Sequence, residues 1–337
     1  MDEENKIECT SVVENYEIYQ RIRSKGLLYD FLAVNQLNQE TLICKILHKS
    51  EFKEKNIKNK DIQNSILIHS QIKHEQMFKI IKFIEDIDYY YIFYEYIEGK
   101  VLSRILSNNK NITFEEFEIF NIISQIINIL IDLYNNNIIL KDLSVRNIFI
   151  KEKKEPNDTI QVLLCNLENK LLLSKSKNKT HLELNYNNIV FKLGIIICQL
   201  LDYDFYLLLK KVYVNEEEDE NMNIINEHIE NKILKKLGIT EDIKSLIINM
   251  ILLGKDSRTH INKIKNNKWY NLFQKKSKNK INKKENNRYN TKEQNNESII
   301  NSSFSTCQST TRDNRDNSKN IIKNNNVIEE IIFTDEG

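Results

Sequence analysis

The sequence lacks an excess of charge of either sign. It has 49 Lys and Arg residues against 48 Asp and Glu residues, which gives a formal net charge of +1 over 337 residues. A chain with so little net charge has no overall field that would steer it toward nucleic acid or a membrane surface. Its 40% hydrophobic content is nevertheless sufficient for a folded core.

Long apolar runs and paired cysteines are also missing. No apolar stretch reaches the roughly 18 residues that a membrane-spanning helix needs, and the longest, residues 189–201, contains Lys192 and Gln199. The acidic N-terminal residues contain no apolar segment, so we expect no secretory signal. The five cysteines form no CxxC pair, and Cys44, Cys165 and Cys198 lie in apolar runs. These features predict buried free thiols in an intracellular protein, cytoplasmic or nuclear, without a membrane partner.

The first 100 residues have the pattern of a small antiparallel sheet. Residues 16–22, 28–35 and 41–47 alternate in the manner of strands and predict a three-stranded meander. Apolar residues at helical spacing over 57–72 predict one helix, and two further strands are predicted at 78–84 and 89–96. Residues 1–15 are polar and predict a flexible N-terminal arm.

The remainder of the chain has mostly helical patterns. We predict a long helix over 114–134 with a capping box that begins at Thr113, a short strand over 161–165, and three helices over 189–201, 241–253 and 258–268. After Phe273 the chain is rich in Lys, Asn and Ser and has few aromatic residues. Such a composition cannot bury enough apolar surface to fold alone, so residues 274–337 are predicted to form a disordered tail.

One polar turn lies between two apolar runs, at residues 138–150. It contains Asp142 and Asn147, five residues apart. At that spacing an Asp can accept the proton of an attacking hydroxyl while the Asn binds a metal ion, as in phosphoryl transfer. The alternative is an ordinary capped turn with no chemical role.

Flanking motifs strengthen the first interpretation. The segment Leu140–Asn147 resembles the H-R-D-L-x-x-x-N catalytic loop of eukaryotic protein kinases. Further matches occur in the order of that family, and they are Leu42–Lys45, Lys73–Met77, Phe93–Gly99, Cys165–Glu168, Leu193–Gly194, Asp256–Arg258 and Lys268–Tyr270. The resemblance implies an α+β, two-lobed fold over residues 16–273. Its N-lobe (residues 16–97) would hold a five-stranded antiparallel sheet and one helix, and its C-lobe (residues 98–273) would be mainly helical.

The resemblance also implies a set of site residues. Asp142 would be the catalytic base, and Lys45 would contact the nucleotide phosphates. Glu95 and Ile97 in the hinge between the lobes, with Phe149 beneath the base, would bind the rest of ATP. Asn147, Asn166 and Glu168 are the candidate Mg²⁺ ligands.

The sequence departs from the family at several of these positions. Only six glycines occur in the chain, and Arg23, Lys25 and Leu28 occupy the positions of the family's glycine-rich loop, which lets backbone amides approach phosphates. Ser65 stands where a helix should supply a Glu to pair with Lys45, with Asp61 one turn earlier. Asn166 replaces a metal-binding Asp, and a neutral amide is a poor ligand for Mg²⁺. At the base pocket, Asp30 and Ile43 replace small apolar residues.

These departures lead to two hypotheses from different classes. The first is a pseudokinase that needs no cofactor and binds other proteins, such as an active kinase or a signalling complex. The second is a weak, unconventional Ser/Thr protein kinase that uses ATP and Mg²⁺ through the retained Lys45, Asp142 and Asn147. A third, a nucleic-acid adaptor, would depend on the lysines at 275–284, but a solvated tail explains them better, so we do not expect a nucleic-acid partner.

Overall fold

The computed structural model describes residues 9–25, 28–54, 56–108, 114–153, 155, 158–165, 167, 173–202, 239–251 and 258–279. The chain divides into two compact units, residues 1–273 and residues 274–337. Within the second unit, residues 274–279 are described and are helical, so the prediction of a disordered tail is wrong for them. The rest of the predicted tail lies outside the described residues.

The N-lobe is built on a six-stranded antiparallel sheet. Its strands stand in the order β1-β2-β3-β4-β6-β5, and their bounds are β1 Ser11–Val13, β2 Tyr16–Lys25, β3 Leu28–Asn35, β4 Thr41–His48, β5 Ile80–Glu85 and β6 Tyr89–Glu95. The five predicted strands are all present. The sixth, β1, pairs with β2 within the residues predicted to be a flexible arm, so that prediction is wrong for residues 11–13.

Two helices follow β4. Helix α2, Asn59–Gln71, is the helix predicted from apolar spacing. It buries Ile62 and Ile66 against Tyr90 and Ile92 of the sheet. The short helix α1, Lys49–Glu54, was not predicted because Phe52 is its only apolar residue, and one apolar side chain gives no periodicity.

The C-lobe combines helices with short strands. Its helices are α3 Leu102–Asn108, α4 Glu116–Asn135, α5 Lys179–Leu201, α6 Glu241–Ile251 and α7, residues 268–279, with 3-10 turns at Val145–Asn147 and Ile261–Asn266. Its strands are β7 Gly99–Val101, β8 Ile138–Leu140, β9 Ile148–Lys151, β10 Val162–Leu164 and β11 Leu173–Lys175. β10, β9 and β7 form one small sheet, and β11 pairs with β8 in another.

Three predicted helix boundaries are wrong. Helix α4 is capped by Glu115 with Glu118 in a capping box, and not by Thr113. Helix α5 begins ten residues before the predicted start because Asn178 caps it through Thr180 N and His181 N. The predicted helix over 258–268 is a 3-10 turn capped by His260, and α7 then begins at residue 268.

Helices α4 and α5 form the centre of the C-lobe core. Both are long and apolar enough to cross a membrane by length and composition alone. In the fold, half or more of the tested window of each helix is buried. Because buried core helices pass the same test, this is weak evidence for a membrane span.

Gly194 lets α5 and α6 approach closely. A Cβ at this position would lie 2.7 Å from Ile251 Cγ1 and 3.0 Å from Met250 Cβ. Both neighbours belong to the buried core, so a side chain here would have to displace packed atoms.

Candidate catalytic cleft

Lys45 lies in the middle of the N-lobe sheet and is almost completely buried. Only 7% of the residue is exposed. Its register partner on β3 is Asp30, which is equally buried at 7%. Directly paired residues on antiparallel strands project from the same face of the sheet. The register therefore places the two buried residues side by side on one face of the sheet.

The charge of Asp30 also affects the adjacent thiol. Burial raises the pKa of Cys44, and the negative charge of Asp30 raises it further. Cys44 precedes Lys45 in β4 and is itself buried and free. The buried free thiols predicted from the sequence are thus found at Cys44, Cys165 and Cys198.

Helix α2 does not bring a carboxylate to Lys45. Ser65, at the position where a Glu was sought, is buried, and Asp61 one turn earlier is exposed to solvent. Ser65 lines a small space together with Ile66, His69, Leu167 and Leu173. The helix therefore has a hydroxyl and apolar groups at the place where an ion pair with Lys45 would require a carboxylate.

Tyr94 fills the region behind Lys45. Its buried ring lies 5.3 Å from Lys45 Nζ and 5.7 Å from the His69 ring. A lysine ammonium at this distance from an aromatic face is attracted by the quadrupole of the ring. Tyr94 thus helps to hold Lys45 inside the lobe.

The two predicted hinge residues follow Tyr94. Glu95 is the last residue of β6, and its Oε1 accepts a hydrogen bond from Lys79 N at 3.2 Å. Its side chain therefore connects the end of β6 with the residue that precedes β5. Ile97 is half-buried in the segment that leads to β7. Both residues lie between the lobes, as the resemblance implied.

The ring of Phe149 packs closely against the backbone of Gly99. Phe149 lies in β9, half-buried, with its ring 5.0 Å from that of Phe78. A Cβ on Gly99 would come within 2.6 Å of Phe149 Cε1 and 2.3 Å of Ile150 O, and Gly99 has φ +151°. That backbone conformation favours glycine. The absence of a side chain at Gly99 leaves the space that the Phe149 ring occupies.

Asp142 is partly accessible to solvent. Its side chain is 30% exposed, and its Oδ1 lies 3.5 Å from Lys192 Nζ of α5. The same oxygen accepts a hydrogen bond from Leu143 N at 2.9 Å. The carboxylate is therefore oriented by its own turn and faces a lysine of the core helix.

Asn147 is buried, and its side chain contacts its own turn. Its Oδ1 accepts hydrogen bonds from Ser144 N at 3.2 Å and from Ser144 Oγ at 3.0 Å. Its Nδ2 donates to Cys165 O at 3.4 Å. Ser144 in turn caps the 3-10 turn Val145–Asn147. The amide thus ties the catalytic turn together and joins it to the end of β10.

The other two predicted metal ligands, Asn166 and Glu168, lie outside the described residues. Among the part of the chain that the structure describes, no group of three or more His, Cys, Asp and Glu side chains could hold a metal ion. Of the predicted ligands, Asn147 alone can therefore be placed.

Apolar side chains connect the cleft with the C-lobe core. Leu140, Leu167 and Ile189 are buried in one cluster. His69 is buried at the lobe boundary, where its Nε2 lies 3.0 Å from Phe78 O. This arrangement makes the interior beneath Asp142 a continuous hydrocarbon core, which is stabilised by burial and not by charges.

Sequence reasoning missed three residues of this cleft. Asp30 was considered only as an obstacle to a nucleotide base, although its position fifteen residues before Lys45 is compatible with a cross-strand pair. In the sequence, Lys192 is a charge within an apolar run, and Tyr94 belongs to a predicted strand and to the hinge match Phe93–Gly99. A lysine within an otherwise apolar helix marks the side of the helix that reaches solvent, and this signal could have placed Lys192 at the surface.

Comparisons with known proteins agree with this architecture. The protein kinase domain family matches residues 30–181. The chain is 28% identical over 142 residues to the serine/threonine-protein kinase PLK4 of Aedes aegypti, an alignment that covers 42% of this chain and 18% of that protein. It is 25% identical over 232 residues to the probable serine/threonine-protein kinase KIN1 homolog of Enterocytozoon bieneusi, covering 63% of this chain and 35% of that protein. The chain therefore spans only about a fifth to a third of the length of these relatives.

A solved structure shows the same fold. The crystal structure of Rad53 1-466 in complex with AMP-PNP matches with a TM-score of 0.53 at 14% identity, covering 76% of this chain and 66% of that chain. At this identity the likeness concerns the fold alone. The predicted α+β fold, with an antiparallel N-lobe sheet and a helical C-lobe, is confirmed.

Proposed function

We propose that this chain, whose residues 30–181 match the protein kinase domain family, is a pseudokinase that binds protein partners and transfers little or no phosphate. The observation that carries the proposal is the burial of Lys45 beside Asp30 in the N-lobe sheet. A lysine that is buried in the sheet, with an acidic residue as its register neighbour, is poorly placed to contact an external phosphate.

The base pocket supports the same conclusion. Asp30 and Ile43 replace the small apolar residues that the family resemblance expects against an adenine ring. A buried carboxylate against an apolar ring would need to find a new polar partner or become protonated, and either is costly. ATP would therefore have to displace Asp30 from its position beside Lys45.

The described candidate metal ligand is equally ill-suited to Mg²⁺. The carbonyl oxygen of Asn147 accepts two hydrogen bonds from Ser144, and Mg²⁺ requires near-ideal octahedral oxygen ligands at short distance. Recruiting this oxygen would break both bonds and release the cap of the turn. The described residues thus do not fit an ATP–Mg²⁺ complex, and Asn147 is better suited to hold the turn together.

A second candidate function is a weak, unconventional Ser/Thr kinase. One observation favours it, which is that Asp142 remains partly exposed and ordered by Leu143 N, as a general base must be. Lys45 and Asn147 are also retained. In that case a rearrangement of β3 would have to separate Asp30 from Lys45 before nucleotide could bind.

Phosphate transfer tests the proposal. The full-length protein, incubated with radiolabelled ATP, Mg²⁺ or Mn²⁺ and a mixture of Ser/Thr peptides, should label neither itself nor the peptides above the level of the Asp142→Asn variant. The matched variant Lys141→Gln changes the neighbouring exposed residue and controls for the effect of altering the turn. Labelling that Lys141→Gln retains and Asp142→Asn abolishes would establish the kinase in place of the pseudokinase.

A further inference from the structure

One face of the N-lobe sheet has no helix packed against it within the described residues. Tyr90 and Ile92 of β6 belong to the core that α2 covers, whereas Phe93 belongs to a separate cluster that contains strand residues only. Because successive side chains of a strand alternate between the two faces of a sheet, Tyr89 and Tyr91 lie on the same face as Phe93. The described helices therefore cover one face of the sheet and leave the other to its own strands.

The hairpin of β1 and β2 covers one end of this second face. Tyr16 of β2 stacks on Phe93, with the ring centroids 4.2 Å apart, and both residues are buried. In the turn between β1 and β2, Glu14 Oε2 lies 3.1 Å from Lys82 Nζ of the far edge strand β5. The hairpin is thus tied across the face at this end. The end near the turn between β5 and β6 is left uncovered.

The uncovered end carries six apolar, aromatic or imidazole side chains, which we term the tyrosine patch: Ile46, His48, Ile84, Ile87, Tyr89 and Tyr91. Tyr91 lies opposite both Ile46 and Ile84. Tyr89 lies opposite His48, with the ring centroids 4.7 Å apart, and the Tyr89 and Tyr91 rings are 6.0 Å apart. These five residues are half-buried. Contiguous apolar patches mark interaction sites, and tyrosine is enriched in protein interfaces.

Ile87, the sixth member, is presented by a turn that is held in shape by its own hydrogen bonds. Asp86 Oδ1 accepts hydrogen bonds from Asp88 N at 2.9 Å and from Tyr89 N at 2.6 Å. Asp86 Oδ2 accepts a third from Tyr91 OH at 3.1 Å. At the tip of this turn Ile87 is 91% exposed. A turn that is already ordered loses little conformational freedom when a partner binds, so Ile87 is a preorganised apolar anchor.

The rim of the tyrosine patch is acidic. Residues 84–91 contain three acidic side chains and neither Lys nor Arg. The neighbouring Lys49 is buried, and its Nζ pairs with Glu85 at 2.7 Å. Asp86 and Asp88 remain at exposed positions beside Ile87. Such a rim favours a partner that carries Lys or Arg, and it disfavours a nucleic acid or a second copy of the same patch, because like charges would then face each other.

A helix is the element that fits an uncovered sheet face. Domains are built from packed layers, in which an apolar sheet face is buried against helices or a second sheet. Helix α2 already provides this layer on the other face, where its Ile62 and Ile66 are buried. An amphipathic helix offers apolar side chains at helical spacing to such a surface. An extended segment would instead pair its backbone with the edge of β5 and leave the face uncovered.

We propose that the tyrosine patch binds an amphipathic helix of a protein partner, whose apolar stripe packs on Ile87 and Tyr89. Lys or Arg residues beside that stripe face Asp86 and Asp88. This inference rests on the proposed partner-binding function, and it assigns that function a surface and a partner chemistry. Lys45 is the register partner of Ile92 and so lies on the other face of the sheet. Binding at the patch therefore requires no nucleotide.

Fluorescence anisotropy with the full-length protein, without nucleotide, tests this assignment. The first of three labelled peptides has leucine at helical spacing among lysines, the second replaces the lysines with glutamates, and the third has the composition of the first with leucine at every second position. The first should bind tightest. Ile87→Ser should weaken its binding about tenfold, and Asp88→Lys about threefold.

Two matched variants control for exposed apolar surface and for charge. Leu37→Ser removes a leucine that is 76% exposed in another N-lobe turn, and Asp61→Lys reverses an exposed acid of α2. Both should bind the first peptide like the unaltered protein. Circular dichroism of each variant checks that it is folded.

Four results would overturn the assignment. They are no binding of the first peptide, equally tight binding of the glutamate peptide, equal losses in Ile87→Ser and Leu37→Ser, and tighter binding of the third peptide, which would point to the edge of β5. Phosphate transfer is measured separately. Transfer by a protein that still binds the first peptide through Ile87 would refute the pseudokinase and leave the patch, whereas absence of both transfer and peptide binding would refute the patch alone.

Discussion

Lys45 in the N-lobe and Asp142 in the C-lobe are the two charged residues on which a kinase would depend, and they differ in their access to solvent. Lys45 is 7% exposed and lies beside the equally buried Asp30. The Asp142 side chain is 30% exposed and faces Lys192, which is 48% exposed. Lys45 is thus part of the buried N-lobe core, whereas Asp142 lies at a charged, partly exposed surface of the C-lobe.

This difference indicates how strongly each charged residue should contribute to the stability of the fold. Two buried residues of opposite charge that lie side by side contribute to the fold, because removing one of them leaves the other charge uncompensated. An exposed pair contributes little to stability and can exchange partners. We therefore expect the stability of the protein to depend more on the two buried N-lobe residues than on the exposed C-lobe pair.

The largest effect is expected at Asp30. The variant Asp30→Ala should lower the free energy of unfolding by about 3–5 kcal/mol, because the Lys45 ammonium remains buried without its neighbouring carboxylate. Urea denaturation followed by circular dichroism measures this loss. The control is Asp30→Val/Lys45→Met, which removes both charges and should lose much less. A loss of less than about 1 kcal/mol in the free energy of unfolding of Asp30→Ala would contradict the contrast between the lobes. It would mean that the buried Lys45 does not need Asp30 for stability.

A smaller loss is expected at Asn147. The variant Asn147→Ala should cost about 1–3 kcal/mol because Ser144 and Cys165 O lose buried hydrogen-bond partners. Urea denaturation is again the measurement. Asn147→Asp preserves the acceptor for Ser144 and should retain more stability. If Asn147→Ala left stability unchanged but altered Mn²⁺ binding, the residue would be a metal ligand and not a structural tie.

The stability of the protein should fall at low pH because of one histidine of the C-lobe, His260. His260 accepts a hydrogen bond from Asn262 N and contacts Tyr134 OH at 3.2 Å. Burial lowers its pKa, the charges of Lys263 and Lys179 add to that effect, and Glu183 opposes it. The unfolded chain therefore binds more protons near and below its ordinary pKa of about 6.5, so this contribution to stability is present above that pH and is lost as the pH falls.

Thermal unfolding between about pH 8 and about pH 5, a range that brackets the ordinary histidine pKa, measures this effect. The variant His260→Gln should flatten the decline relative to the unaltered protein, although it lowers the melting temperature at high pH. His48→Gln, a change to a half-buried N-lobe imidazole, is the matched control and should leave the decline in place. An identical slope in the unaltered protein and His260→Gln would contradict the assignment.

The smallest effect is expected at Lys192. Its pair with Asp142 is exposed and 3.5 Å apart, so Lys192→Ala should change the free energy of unfolding by about 0–1 kcal/mol. A double-mutant cycle with Asp142→Asn measures the coupling. A coupling well above that range would show that the C-lobe charges are as deeply committed to the fold as those of the N-lobe, and the contrast between the lobes would disappear.

The sequence allowed the order of the main elements to be predicted because their signals are local. Alternation in β2 to β6 and apolar spacing in α2 and α4 are visible in windows of a few residues. Helix α1 and strand β1 were missed since each has too few apolar side chains for a pattern. The cap of α4 was placed at Thr113 and not Glu115, because a Ser or Thr is the commoner cap and a Glu cap depends on the geometry of the particular turn.

The candidate site could be predicted only in part. The positions of Lys45, Asp142 and Asn147 followed from the motif, but their partners did not. Asp30 reaches Lys45 through strand register, and Lys192 reaches Asp142 from a helix fifty residues further along the chain. Long-range pairs of this kind depend on how elements pack, which a single sequence does not encode in its local pattern.

Nucleotide binding by the full-length protein tests the central claim most directly. The melting temperature should not change on titration with ATP, whether Mg²⁺, Mn²⁺ or EDTA is present, because Lys45 remains buried next to Asp30 in the sheet. The variant Lys45→Met serves as the control for nonspecific effects of nucleotide. A rise in melting temperature that depends on the metal and is lost in Lys45→Met would contradict the account, since it would show that Lys45 leaves Asp30 to bind phosphate.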